Sequence, residues 1–353
     1  MSLQAFKGKR VLITGHTGFK GSWLGRVLSR MDASVFGLAL SPADESLYSK
    51  LRLPSVVEER IMDINDFHSV SRWVKEIQPE FIFHMAAQPL VIESYKNPRT
   101  TFETNVMGSI NLFEAVRLAE LQCSIVAVTT DKVYKNLERA SGYAESDALG
   151  GLDPYSASKS AMEMGIVAWR KLFEVNSQTQ IVSVRSGNVI GGGDFAENRL
   201  IPDILRALSS GNPVGIRNPN SLRPWQHVLD PLFGYMQAAV KMHTSKMNSE
   251  SYNFGPGESS RLTVGQIAEL SISYWPFPNQ GWVASDVVNS DMPETEKLWL
   301  NSELARTELG WFNLLDAKDS IRWTIDWTLQ ANEKGADYAT DSQIDSYLEM
   351  KLT

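Results

Sequence analysis

Val11-Leu12-Ile13-Thr14-Gly15-His16-Thr17-Gly18-Phe19-Lys20-Gly21-Ser22-Trp23 decides how the rest of this chain is read. A short apolar run stops at three glycines spaced three apart and continues as a helical pattern, the order strand, turn, helix. Gly15 permits a tight turn, Gly18 lets backbone N–H groups approach a pyrophosphate, and Gly21 allows helix and strand to pack closely. An anion would rest on the helix N-terminus, where unpaired N–H groups and the dipole favour it. The spacing is Gly-x-x-Gly-x-x-Gly, one residue longer in its first step than the common dinucleotide fingerprint. Gly15, His16, Thr17, Gly18, Phe19, Lys20 and Gly21 are therefore candidate dinucleotide contacts.

Outward from this stretch, short apolar runs alternate with amphipathic ones. Strands are expected over 10–14, 34–40, 60–62, 81–85, 124–129 and 180–185, and helices over 18–31, 67–77, 101–121 and 155–173. That alternation predicts an α/β fold, a Rossmann-like doubly wound parallel sheet with helices on both faces. The second half is less regular. It reads as a helix over 198–210, a strand over 225–229, then Asp230-Pro231 as N-cap and first residue of another helix. A strand over 251–254, a helix capped by Thr263, a helix over 303–309 closed by Gly310 and a helix over 317–330 follow. The polar tail after Glu333 is expected to be loosely held. Residues 1–185 with 228–250 are assigned to the dinucleotide-binding domain. Residues 186–227 with 251–353 are assigned to a smaller interleaved α/β substrate-binding lobe.

Composition narrows the function classes. A chain of 353 residues exceeds the size of a single small core, in keeping with a second lobe. The formal charge of −7, with no basic block, argues against a nucleic-acid or anionic-membrane surface. Cys123 is the only cysteine, so no intrachain disulfide can form. The first apolar run is too short for a leader segment, and a cytoplasmic protein is expected. No metal is expected, because His-Glu-x-x-His and paired cysteines are missing. A Gly-x-Ser-x-Gly elbow is missing too, against serine-hydrolase chemistry.

The second strand ends in Leu38-Ala-Leu-Ser-Pro42, with neither an acid for a ribose nor an arginine for a 2′-phosphate; NAD is preferred to NADP. Asp63 and Ile64 follow the third strand and are candidates for the adenine edge. Ala86, Ala87 and Gln88 follow the fourth, where small residues suit a backbone lying against the cofactor. His84 is read as a core histidine. Asn105 sits inside a helix, where it is unfavourable unless its amide is used. Thr129, Thr130, Asp131 and Lys132 lie at the carboxyl end of the fifth strand, where ligands gather in such sheets. Tyr155 and Lys159 are four apart on a helix and so share a face. An ammonium there is expected to lower a tyrosine pKa that is otherwise ~10, making a base for a hydroxyl proton.

Together these motifs resemble the extended short-chain dehydrogenase/reductase family, in its nucleotide-sugar branch. Thr-Gly-x-x-Gly-x-x-Gly, His84-x-Ala-Ala, Thr104-Asn-x-x-Gly and Tyr-x-x-x-Lys carry the likeness in the first half. Arg185-Ser-Gly-Asn188-Val-Ile-Gly-Gly-Gly-Asp194 and Arg223-Pro-Trp-Gln-His-Val carry it in the second, where the family holds its nucleoside diphosphate. Thr130-Asp131 is similar to the 4,6-dehydratases of the branch, whereas epimerases lack the acid there. Lys132, where commoner dehydratases have Glu, resembles those that take CDP-glucose. The resemblance implies that Tyr155 takes the C4 hydroxyl proton as hydride passes to NAD. It also implies C5 deprotonation and C6 hydroxyl loss through Asp131 and Lys132, then hydride return to C6. Thr130 is then a C4-oxygen contact, and Lys159 a nicotinamide-ribose contact. Two divisions of labour stand open: Lys132 as C5 base with Asp131 as acid, which is preferred, or cationic Lys132 stabilising an enolate while Asp131 carries the proton.

Asn188 is carried over as a substrate contact, with Arg199, Leu200, Arg217 and Arg223 as candidates around the diphosphate. Trp225, Trp275, Trp282, Trp299 and Trp311 are expected in cores rather than as base platforms. The resemblance further implies a homodimer that pairs helices 101–121 and 155–173 into a four-helix bundle. A 4-epimerase and a non-catalytic dinucleotide sensor are the rival readings.

Overall fold

The computed structural model describes residues 3–139, 141–176, 178–284 and 297–352. Seven parallel strands form the main sheet: β1 (Arg10–Thr14), β2 (Ser34–Ala39), β3 (Val57–Ile61), β4 (Phe81–His84), β5 (Ser124–Val128), β6 (Gln180–Ser186) and β10 (Ser251–Phe254), in the order β10-β6-β5-β4-β1-β2-β3. The chain runs outward from β1 to β3, then crosses to β4 on the other side of β1. That reversal opens a crevice at the carboxyl ends of β1 and β4.

Strand periodicity explains why both faces are covered. Val11, Ile13, Phe81, Phe83, Val126, Val128, Val182 and Val184 point to one face. They pack there with residues of α1 (Phe19–Arg30) and the helix Leu229–Thr244. Leu12, Ile82, Ile125, Ala127 and Ile181 point to the other, against α2 (Phe67–Ile77), α3 (Gly108–Leu118) and α4 (Pro154–Asn176). Strands buried on both faces need near-continuous apolar sequence, and β1, β4 and β5 supply it.

The smaller lobe holds α5 (Leu200–Ser209), a three-stranded sheet of β11 (Arg261–Thr263), β9 (Leu222–His227) and β7 (Asn188–Ile190), and a pair of β12 (Trp282–Ala284) with β8 (Val214–Ile216). Its core joins Ile190, Ile204, Ile216, Trp225, Ile267, Trp275 and Ile321. The longer helices that remain among the described residues are α6 (Leu229–Thr244), α7 (Val264–Tyr274), α8 (Glu303–Leu309), α9 (Ala317–Lys334) and α10 (Ala336–Leu352). Thr263 caps α7 with a full capping box, and Gly310 closes α8 in the left-handed region, as their sequence implies. Trp299 and Trp311 are buried, and Trp282 packs on the lobe's core.

Several expectations are corrected. The third strand is Val57–Ile61, not 60–62; as an edge strand it exposes Glu58 and Arg60, which hides its period. The expected helix 101–121 is Pro98–Phe102, a π turn over Glu103–Met107, and α3. Asp230 is not an N-cap but the second residue of α6. Ser251–Phe254, assigned to the second lobe, extends the main sheet beside β6.

The tail after Glu333 is helix α10, docked rather than loose. Tyr347 donates to Asp230 Oδ1 at 2.8 Å, Trp327 Nε1 donates to Thr340 at 2.9 Å, and Arg26 Nε of α1 donates to Asp341 at 2.8 Å. Polar anchors hold this helix, so its sequence shows little apolar stripe.

Burial pushes the Asp230 carboxyl up to about 7, against the pull of Leu314 N–H and the Tyr347 hydroxyl. A carboxyl whose folded pKa exceeds its unfolded value binds more protons folded than unfolded. Its stabilising contribution is therefore present at acid pH and lost as pH rises from about 4 toward 7. Asp230→Asn removes that slope; urea denaturation at pH 5 and pH 8 should show the variant gaining relative to the parent at the higher pH.

Candidate functional site

The crevice floor is built by close backbone approach. Gly15 has φ 75°, and a Cβ there would lie 2.8 Å from Ala86 N. At Gly21 a Cβ would meet Gly15 O at 2.2 Å, so glycine is required at both positions. Thr14 Oγ1 accepts from the N–H groups of Met85 and Ala86, each at 3.1 Å. Its own proton therefore goes to His84 Nδ1 at 2.7 Å, which leaves Nε2–H to donate to Ser109 Oγ at 2.8 Å. Burial drives the His84 pKa down to about 3. His84 is a neutral core histidine that holds the two switch-point loops together.

Asn105 explains its unfavourable place in a helix. Its amide accepts from Gln88 N at 2.8 Å and donates to Gln88 O at 3.1 Å and Ser158 Oγ at 2.9 Å. The loop Ala86-Ala87-Gln88 is thereby tied to α4. Ile64 is buried against Gly108, while Asp63 is exposed and caps its own turn at Asn65 N.

The residues at the start of α1 fit a dinucleotide pyrophosphate. Gly18 N-caps the helix and offers no side chain to its amides, and the glycine cradle leaves no side chain over the turn. Thr17 Oγ1 donates to Leu40 O at 3.1 Å. His16 is buried on Gly37, with Nε2 2.6 Å from Glu59 Oε2 and Nδ1 without a partner among the described residues. Lys20 Nζ donates to Ser186 Oγ at 2.9 Å, and burial followed by the Arg199 charge lowers its pKa to about 7. Phe19 packs against the main core.

Thr130, two residues beyond β5, is the N-cap of the short turn Asp131–Val133 and donates to Asp131 Oδ1 at 2.9 Å. Asp131 is buried, which raises its carboxyl pKa against the opposing charge of Lys132, the Thr130 hydroxyl and Arg223. Gly187 makes room for it: a Cβ there would lie 2.8 Å from Asp131 Oδ2. Lys132 is half-buried beside it. Tyr155, in the first turn of α4, has Thr130 as its hydrogen-bonding neighbour.

The expected depression of the Tyr155 pKa is not found. Burial raises the phenol to about 12; Thr130 pulls it down, Asp131 pushes it up, and Arg199 pulls it down. Lys159 directs its ammonium to Val128 O at 3.1 Å, not to the phenol. Burial lowers the Lys159 pKa to about 8, with Glu163 opposing.

Around this rim, Arg199 N-caps α5 and pairs with Asp194 at 3.0 Å, and its charge reaches Tyr155 and Lys20. Arg223 faces Asp131 from β9. Asn188 opens β7 opposite Trp225, and Leu200 begins α5. Arg217 is exposed just beyond β8 and is not brought to the Tyr155–Asp131 group by any contact among the described residues. The described residues hold no group of three or more His, Cys, Asp or Glu side chains able to bind a metal ion, and no helix long and apolar enough to cross a membrane.

Residues that sequence reasoning passed over are Glu59 and Glu163, while Ser186 and Gly187 stood inside the 185–194 motif without a role of their own. Arg185, grouped with a diphosphate motif, is instead buried in an ion pair with Glu163 at 2.8 Å. The signal for Glu163 was available: it continues the 155/159 face by one more helical turn.

Comparison with known proteins adds an independent line. Residues 12–324 match the family model described as GDP-mannose 4,6 dehydratase. The CDP-glucose 4,6-dehydratase of Salmonella typhimurium is 42% identical over 91% of this chain and 91% of its own length. Among solved structures, a UDP-glucose 4-epimerase from Thermotoga maritima with UDP-glucose superposes with a TM-score of 0.78 at 20% identity, covering 92% of this chain and 99% of that one. A dTDP-glucose 4,6-dehydratase from Bacillus anthracis in complex with NAD gives 0.77 at 21% identity, covering 92% and 98%.

Proposed function

As a premise, the chain belongs to the GDP-mannose 4,6 dehydratase family, and on it we propose an NAD-dependent CDP-glucose 4,6-dehydratase that converts CDP-D-glucose to CDP-4-keto-6-deoxy-D-glucose. The observation that carries the proposal is Thr130-Asp131-Lys132 set against Tyr155 at one rim, in a chain 42% identical to a relative of that name. The main sheet is the cofactor lobe, and the smaller sheets with α5 form the sugar-nucleotide lobe. Gly15 to Gly21, Ala86 to Gln88, Asn105, Thr129 and Lys159 are its cofactor residues, with Asp63 and Ile64 at the adenine end. The Glu59 carboxylate beside His16 supports NAD over NADP, because it would repel a 2′-phosphate.

NAD, when bound, supplies the hydride acceptor at C4 and the donor to C6. Tyr155 takes the C4 hydroxyl proton, with Thr130 holding the C4 oxygen. Its pKa of about 12 shows that the phenol needs cations to ionise, and Arg199 already acts in that direction. Once C4 is a ketone, the C5 hydrogen is acidic. Lys132 removes it, and Asp131 protonates the departing C6 hydroxyl. The raised Asp131 pKa supports that role, since burial moves the carboxyl toward higher proton affinity against the pull of Lys132, Thr130 and Arg223. Arg199 and Arg223, with Asn188 and Leu200, bind the nucleoside diphosphate, and Arg217 stands further out on the same lobe. We extend this reading to a cytoplasmic enzyme of deoxysugar biosynthesis, feeding O-antigen lipopolysaccharide.

A homodimer forms in this reading through a four-helix bundle. Phe102, Met107 and Leu118 on one helical segment and Met164, Val167 and Leu172 on α4 are exposed, and a second copy would cover them.

Three outcomes test these statements. Incubation with CDP-, UDP-, GDP- and dTDP-glucose plus NAD should yield an alkali-absorbing 4-keto-6-deoxy sugar from the CDP substrate. An epimer, or no turnover of any sugar, would discard the dehydratase. Lys132→Ala should slow C5 deuterium incorporation about 100-fold or more; exchange at the parent rate would assign the base elsewhere. Light scattering should give twice the chain mass at micromolar concentration, and a monomer mass would remove the bundle.

A further inference from the structure

Tyr155, Lys159 and Glu163 succeed one another at four-residue steps along α4, and the third has no place in the reaction as described. Glu163 is buried and fully engaged. It accepts from Arg185 Nε at 2.8 Å and Nη2 at 2.9 Å, and from Thr129 Oγ1 at 2.6 Å. Arg185 is held in turn by Tyr134, whose hydroxyl accepts from Nη1 at 2.7 Å and donates to Asn253 Oδ1 at 2.8 Å. The network joins α4, the end of β5, β6 and β10 into one frame behind the crevice. Burial would raise the Glu163 carboxyl, but the Arg185 guanidinium outweighs it and keeps the group below the ordinary range. Glu163 is therefore a fixed negative charge.

Lys159 is what this charge faces. Its ammonium is buried, and the partners it reaches, Val128 O and Met162 Sδ at 3.6 Å, carry no charge. The other ionisable groups that its charge reaches are Lys20 from α1 and His84 from β4. His84 is neutral, and Lys20 disfavours a second cation. Facing Glu163 are Arg185 and, from its own helix, Arg170. Among the described residues, Glu163 is the one charge that opposes the burial of the Lys159 ammonium.

We propose that Glu163 is a positioning residue: a counter-charge, fixed by Arg185 one helical turn beyond Lys159, that keeps the Lys159 ammonium ionised in its buried site. The inference rests on the reading in which Lys159 serves Tyr155 and the cofactor ribose. Glu163 touches neither substrate nor cofactor and acts through Lys159. The same carboxylate fixes Thr129, directly before Thr130-Asp131, so electrostatic support and rim geometry come from one group.

The test follows Lys159 itself. In protein carrying ¹³Cε-lysine without added cofactor, the Lys159 signal, assigned by its loss in Lys159→Met, should titrate near pH 8. Glu163→Gln should move that midpoint down by at least about one pH unit. Because it strands Arg185, the double variant Glu163→Gln/Arg185→Met is measured beside it; it should recover the melting temperature yet keep the lowered midpoint. Glu163→Asp, which keeps the charge, should titrate as the parent does. In turnover, the high-pH limb of kcat/KM should move down with the NMR midpoint in both Gln variants, and kcat should fall more than KM rises. A folded double variant titrating at the parent pH overturns the proposal, as does Glu163→Asp shifting as far as Glu163→Gln. Absence of turnover in the parent would sink the dehydratase reading while leaving the NMR result to decide this one.

Discussion

Two loops touching across the first and fourth strands set the conditions for everything else in this molecule. The Gly15 backbone lies so close to Ala86 that no side chain fits between them. Thr14 and His84 fasten the contact with hydrogen bonds whose donor order is fixed by the two amides that Thr14 already accepts. Were these loops to part, the helix N-terminus of α1 would no longer face the carboxyl ends of β4 and β5. The crevice is thus a product of backbone proximity first and of reactive side chains second.

The side chains obey a second constraint, burial of charge. Asp131, Tyr155 and Lys159 are each moved toward their neutral forms by the protein that surrounds them. A carboxyl of raised proton affinity, an un-ionised phenol and a weakly held ammonium form a set that needs little rearrangement to exchange protons. Glu163 works against that tendency at Lys159, and it and Arg185 are each satisfied by the other and by neutral hydrogen-bond partners. Buried ion pairs contribute little net stability but are costly to break, which suits a frame more than a reactant.

Much of this was legible in the sequence. The strands β1, β4 and β5 are apolar on both faces, and the glycine spacing after β1 can serve few other purposes. The rim residues Thr130, Asp131 and Tyr155 follow from strand ends and helix starts. What the sequence hid has physical causes. β3 is an edge whose outward residues are charged, so its period is masked. The π turn at Asn105 comes from amide bonds to Gln88 and Ser158, partners far off in sequence. Tyr155 and Lys159 share a helix face, as their spacing requires. The direction of the tyrosine shift, however, depends on burial, which one helix cannot report. Glu163 was visible as the next step on that face, but its meaning depends on Arg185, brought in by β6.

The grip of α10 on α1 has a consequence for the order in which the protein can be made. Arg26 and Arg30, one and two turns behind the cofactor glycines, are held by Asp341 and Asp345, each 315 residues further along the chain. β10, too, reaches the sheet only after β6 has waited for some sixty-five residues of intervening chain. During synthesis, at about 5–20 residues per second, the nascent chain carries an unfinished sheet edge until β10 emerges and a first helix without these partners until α10 follows. A chain truncated before α10 would contain every reactive group described above, yet leave α1 without that restraint.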